Sequence, residues 1–183
     1  MVYIFLAEGF EEIEALCPID VLRRAGISVT SVGVTGKTVR GSHGIEVTAD
    51  ITLEEFSGAD TGDAEMAILP GGMPGTKNLQ ASPVVCNFIK SMAEAGKYVA
   101  AICAAPSVLG GLGLLRGKRA TCYPGFEDAL LGAEHTEESV VVDEGIITAK
   151  GMGVALPFGL TLIEELRGIR LATEIKESLM TQN

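Results

Sequence analysis

Apolar residues fall along this chain in two alternating rhythms. Residues 2–7 form an unbroken apolar run, which suits a strand covered on both faces, as in a parallel sheet. Over 11–25 the apolar positions shift to helical spacing at Ile13, Leu16, Ile19, Val21 and Leu22. That segment closes on Arg23, Arg24 and Gly26, so cations sit at the carboxyl end of a helix and a glycine stops it. Residues 27–34 are rich in β-branched side chains and predict a second strand, completing a βαβ unit.

The same alternation continues. Residues 38–47 predict a hairpin-like excursion carrying Gly41, His43 and Gly44, followed by a short helix at 53–56. A strand over 64–69 leads into the turn Pro70-Gly71-Gly72-Met73-Pro74-Gly75. Ser82 as N-cap, Pro83 at the first helical position and Gly96 as the stop delimit the next helix. A strand ending at Ile102 then runs directly into a small-residue helix. A short strand at 120–124, a helix at 126–131, strands at 140–142 and 146–148 about a tight turn, and helices at 153–166 and 171–180 complete the pattern. No repeat or linker interrupts it, so residues 1–183 are expected to form one domain. That domain is expected to be a doubly wound, mostly parallel α/β sandwich that binds ligands at the carboxyl ends of its strands.

Composition narrows the partners. The 183 residues are 47% hydrophobic and 21% charged, enough for one substantial core. A net charge of −10 offers no electrostatic footprint for a phosphate backbone, so direct nucleic-acid binding is not expected. The opening residues lack a basic leader and are too short an apolar run to span a bilayer, so no membrane association is expected. Cys17, Cys86, Cys103 and Cys122 form neither a CxxC pair nor a Cys/His cluster; reduced thiols in a cytoplasm, with no metal, are the simplest account.

Cys103 stands at the junction of strand and helix. Such a junction lifts a side chain above the sheet edge, and unpaired amides of a first helical turn lower a thiol pKa. Free cysteines are also commonly small core residues, so the position alone weighs evenly between reactive thiol and packing. Glu14 follows Glu8, Glu11 and Glu12; those three read as ordinary first-turn acids, but Glu14 shares the packed face of its helix and would need a donor. A protonated Glu14 beside a Cys103 thiolate would form a nucleophile and general acid/base pair. Gly71 and Gly72 after a strand permit close backbone approach and amides aimed at a reacting oxygen, although a Pro-Gly-Gly turn is also common punctuation.

Residues 8–14 (EGFEEIE), 20–26 (DVLRRAG), 69–72 (LPGG) and 100–106 (AAICAAP) closely resemble the ThiJ/PfpI family, nearest its Parkinsonism-associated deglycase branch. The resemblance runs essentially end to end. It implies a flavodoxin-like, class I glutamine amidotransferase-like fold in a homodimer. In the site it implies Cys103 as elbow nucleophile, Glu14 as its protonated partner, and the Gly72 and Ala104 amides around the reacting oxygen. It further implies cofactor-independent action on glyoxal-type dicarbonyls or their glycated adducts, and oxidation of the cysteine to a sulfinate. The chain departs from the pattern at three places: Tyr123 replaces a histidine, His43 stands where many relatives carry arginine, and residues 151–154 (GMGV) replace Gly-Pro-Gly-Thr. Tyrosine is a poor base near neutrality, its ordinary pKa being about 10. Gly71, Tyr123 and His43 are thus candidate pocket residues, His43 by crossing a dimer interface. His135 reads as a surface residue, and the other three cysteines read as structural.

Two functions compete. The leading one is a cysteine enzyme of glyoxalase III or deglycase type. The other is a redox sensor or stress-protective, chaperone-like protein in which Cys103 is oxidised without turnover.

Overall fold

The computed structural model describes residues 1–57 and 62–181. The first half runs β1 (Val2–Leu6), α1 (Glu12–Arg24), β2 (Val29–Gly33), β3 (Thr38–Arg40), β4 (Glu46–Thr48), β5 (Ile51–Thr52), α2 (Leu53–Ser57), β6 (Met66–Leu69), α3 (Gly75–Gln80) and α4 (Pro83–Glu94). It continues through β7 (Tyr98–Ile102), α5 (Pro106–Gly111), β8 (Arg119–Ala120), β9 (Glu134–His135), β10 (Val140–Asp143), β11 (Ile146–Ala149), α6 (Ala155–Arg167) and α7 (Ile169–Ser178). Seven strands make the central sheet in the order β10-β11-β7-β6-β1-β2-β5, parallel throughout except for β10 at one edge. Two small ribbons, β3 with β4 and β8 with β9, stand apart from it.

The apolar runs are explained by two-sided burial. Val2, Ile4 and Leu6 of β1 pack with Phe158 and Leu162 of α6 in one core, whereas Tyr3 and Phe5 face the opposite core with Phe56 and Ile89. Ala100 and Ile102 of β7 likewise face the first core, Val99 and Ala101 the second. Aromatic rings of Tyr3, Phe5, Phe56 and Phe88 meet edge-to-face, with Phe56 and Phe88 centroids 4.9 Å apart. The strand order reverses between β1 and β6: β2 continues on one side of β1, and β6 and β7 build out on the other. A reversal of this kind opens a crevice at the carboxyl ends of the two strands, where the loops into α1 and α3 begin.

Several expected elements differ. α3 was not anticipated, because its first turn has no side-chain cap; burial of Thr76 and Leu79 holds it instead. Residues 126–131 make only a single 3₁₀ turn at Glu127–Ala129, confined between Gly125 and Gly132, both at positive φ. The strand expected at 120–124 stops at Ala120, because the Thr121 amide is taken by Thr148 Oγ1 and the Tyr123 amide by the Cys103 carbonyl. α5 starts at Pro106, three residues beyond Cys103.

Candidate active site

Cys103 follows the last residue of β7 and leaves the sheet in the left-handed region, at φ 65°. A non-glycine residue there costs about 1–2 kcal/mol, which the surrounding structure must offset. Two backbone hydrogen bonds do so: the Cys103 N–H donates to the Ala149 carbonyl, and its carbonyl accepts from the Tyr123 N–H, both at 2.8 Å. The reversal swings the side chain out of the strand alternation and leaves it half-buried in the crevice.

α1 brings Glu14 to the same point. Its carboxyl is 1% exposed, and Oε2 accepts the Gly71 N–H at 3.0 Å, while the Glu11 N–H donates to the Gly71 carbonyl at 2.9 Å. The start of α1 is thereby clamped to the loop after β6. Gly71 has to be glycine: a Cβ there would stand 2.7 Å from both Cys103 Cβ and Glu14 Oε2. Gly72, at φ 86°, lies against the backbone of Gly9, Phe10 and Glu11, where a Cβ would come within 2.3 Å of the Glu11 nitrogen. Glu14 Oε1 is buried without a well-formed hydrogen bond; the Cys103 thiol and the Met152 amide face the same carboxyl.

The electrostatics are those of a pocket that tolerates one negative charge and resists two. Burial pushes Glu14 up to about 7, with the Cys103 and Gly71 hydrogen bonds opposing it and the Glu11 charge adding to it. Burial also pushes the Cys103 thiol up to about 12, reinforced by the charge and hydrogen bond of Glu14. The Gly72 and Ala104 amides pull the other way. Burial and an ionised Glu14 thus oppose the lowered thiol pKa expected at this junction, and the two amides favour it. An ionised Glu14 repels a thiolate. A proton on Glu14 removes that repulsion, so the two groups titrate as a pair.

Glu12 was read as a first-turn acid but is 3% exposed, because the β3–β4 loop folds over it: Oε1 accepts the His43 N–H at 2.8 Å and the Ile45 N–H at 3.3 Å. Glu11 is the N-cap residue, and exposed Glu8 accepts from the Arg40 N–H at 3.2 Å. The His43 ring is engaged by Glu12 and Glu11, at 3.1 and 3.2 Å, and not by Cys103; these carboxylates raise its pKa. Glu11, Glu12 and His43 have ligand atoms within 4.8 Å of one another and could hold a metal ion, at the start of α1. Tyr123 lies beside the pair, bound through its amide to Cys103, its ring 3.2 Å from where a Gly151 Cβ would be. Met152 stands in the sequence only as part of a departure from the family pattern; the aim of its amide at Glu14 comes from the 3₁₀ turn Met152–Val154. His135 is exposed on β9. Cys122 is buried and pushed up to about 11 by that burial, while Cys17 and Cys86 are half-buried.

Residues 1–165 match the model of the DJ-1/PfpI family. The chain is 36% identical to Parkinson disease protein 7 homolog of Danio rerio, over 98% of this chain and 96% of that protein. It is 32% identical to glutathione-independent glyoxalase DJR-1.2 of Caenorhabditis elegans, over 88% and 85% respectively. Among solved structures, oxidized Toxoplasma gondii DJ-1 superposes with a TM-score of 0.93 at 36% identity, covering 100% of this chain and 98% of that one.

Proposed function

The chain belongs to the DJ-1/PfpI family and has its flavodoxin-like, class I glutamine amidotransferase-like fold; from that premise we propose that it is a cysteine enzyme converting α-oxoaldehydes to α-hydroxy acids. The same proposal extends to hydrolysis of their glycated adducts, the deglycase reaction. The observation that carries it is the contact of a half-buried thiol with a buried carboxyl whose pKa is pushed up to about 7, where an acid/base group works best near neutrality. A relative named a glutathione-independent glyoxalase supports the substrate class.

In this reading the Cys103 sulfur adds to the aldehyde carbon as Glu14 takes the thiol proton. The carbonyl electron pair moves to oxygen, which becomes a hydroxyl by protonation; the Gly72 and Ala104 amides stabilise the charge as it forms. Glu14, freed of its proton, removes the hydrogen on that carbon and returns a proton to the neighbouring carbon, while the proton of the new hydroxyl passes to the ketone oxygen of that neighbour. The first carbon is oxidised to a thioester and the second reduced to an alcohol, so no outside oxidant is needed. Water then cleaves the thioester, releasing the hydroxy acid and restoring the thiol. In a glycated adduct Glu14 would pass its proton to the departing amine. These steps require no organic cofactor and no metal.

A second reading, oxidation sensing, is favoured by one observation: Glu14 Oε1 has no well-formed partner, and a protonated carboxyl there could donate to an oxygen carried by an oxidised sulfur. The test is lactate formation from methylglyoxal with chelator present and no added thiol. Production by the wild type and loss in Cys103→Ala support the enzyme. No lactate from either, with peroxide adding two oxygens only when Cys103 is present, supports the sensor.

We also assign the chain to a reduced, cytoplasmic setting and to a homodimer. Among the described residues no helix is long and apolar enough to cross a membrane. Ile13 and Leu16 on one face of α1 and neighbouring Ile45 are 48%, 38% and 55% exposed, an apolar surface that a second copy would cover.

A further inference from the structure

The Tyr123 ring and the Met152 side chain have no part in the chemistry above, yet both are 50% exposed beside it. They wall a cleft of about 270 Å³ with Pro124, Gly151, Val154 and the stem of Lys150. The Lys150 ammonium is turned to Glu137, which leaves its methylenes as lining. The cleft is therefore apolar on nearly every side.

It is joined to the reacting pair at three points. The Tyr123 N–H is bonded to the Cys103 carbonyl, the Met152 amide faces the Glu14 carboxyl, and a Cβ on Gly151 would lie only 3.8 Å from Glu14 Oε1. Residue 151, a glycine, adds no side chain between the Tyr123 ring and that buried carboxyl. In the reaction proposed above Glu14 serves both carbons of a substrate bonded to Cys103, which sets the second carbon toward Glu14 and hence toward Gly151.

We infer that the cleft receives the substituent of the α-oxoaldehyde and that Tyr123 makes the enzyme favour flat, aryl-bearing substrates over methylglyoxal. The inference rests on the reading of the reaction above. An aryl group would stack on the Tyr123 ring and contact the Met152 thioether; a methyl group reaches neither well. Contacts of this kind are worth roughly three- to tenfold in relative kcat/KM.

The experiment compares kcat/KM for phenylglyoxal and methylglyoxal in the wild type, Tyr123→Phe and Tyr123→Ala. The expected result is a phenylglyoxal-to-methylglyoxal ratio that falls about three- to tenfold in the alanine variant and is kept by phenylalanine, which retains the ring. An unchanged ratio in Tyr123→Ala, or an equal fall in Tyr123→Phe, overturns the inference. Binding of the two hydroxy-acid products gives a readout that needs no turnover, by titrating labelled protein with mandelate and with lactate. Tighter binding of mandelate, shifting the Gly151 and Met152 amides and lost in Tyr123→Ala, supports the cleft; equal binding of the two acids overturns it. Mandelate binding in this manner without formation of any hydroxy acid from either aldehyde supports the cleft while refuting the enzymatic reading.

Discussion

Replacing Glu14 by glutamine is expected to stabilise the protein above neutral pH while abolishing its turnover. Glutamine keeps an oxygen to accept the Gly71 N–H but cannot ionise. In the folded wild type the Glu14 carboxyl is raised from its ordinary 4.5 to about 7. The folded state therefore holds this proton more tightly than the unfolded state, and stability falls as pH rises from the unfolded value through the folded one. At roughly 1.4 kcal/mol per pH unit, moving a carboxyl from 4.5 to about 7 costs on the order of 3 kcal/mol once both states are ionised. Most of that difference, about 2 kcal/mol, develops between roughly pH 5 and 8. Urea denaturation of wild type and Glu14→Gln across this window follows the effect, since the two chains differ only in this carboxyl and in its influence on Cys103. The variant's advantage should widen with pH, by about 4–8 °C in melting temperature for a chain of this size. A constant difference across the window would refute the claim that the buried carboxyl is hard to ionise.

Turnover should follow the same group from the other side: kcat/KM for methylglyoxal is expected to rise with pH through a midpoint near 7, as the Cys103–Glu14 pair loses its first proton. A flat profile in initial-rate measurements would contradict this. Gly71→Ala should cost about 1–3 kcal/mol in denaturant unfolding, because its Cβ overpacks the site. The same variant should lose about a hundredfold in turnover, because the added atom separates thiol from carboxyl. Ile13→Glu is expected to shift the protein from dimer to monomer in sedimentation equilibrium by charging an exposed apolar face.

Much of this architecture is legible in local pattern. The runs that became β1, β6 and β7 are strands covered on both sides, and an amphipathic period joined to a glycine stop marks α1. The inward aim of Glu14 is only partly given by that period: Ile13 and Leu16 are exposed, and Glu14 shares the buried face with Ala15, Pro18, Ile19, Val21 and Leu22. The burial of Glu12 does not follow from it, because the amides that bind it come from His43 and Ile45 in a hairpin far along the chain. α3 has no cap and no long apolar period, only core neighbours. The backbone around the thiol is hidden for a related reason: a strand running into small residues does not reveal that Cys103 adopts a left-handed conformation or that α5 waits until Pro106. The part played by Met152 depends on a backbone amide, which no side-chain pattern can announce.

The central claim is that a buried carboxyl holds and moves the proton of the Cys103 pair. Carbon-13 labelling of glutamate side chains, with Glu14 assigned by its absence in Glu14→Gln, follows that carboxyl directly as pH is varied. The account predicts a titration midpoint near 7, moving higher in Cys103→Ala, where the thiol no longer donates to the carboxylate. A midpoint near the ordinary 4.5, unaffected by removal of the sulfur, would contradict it.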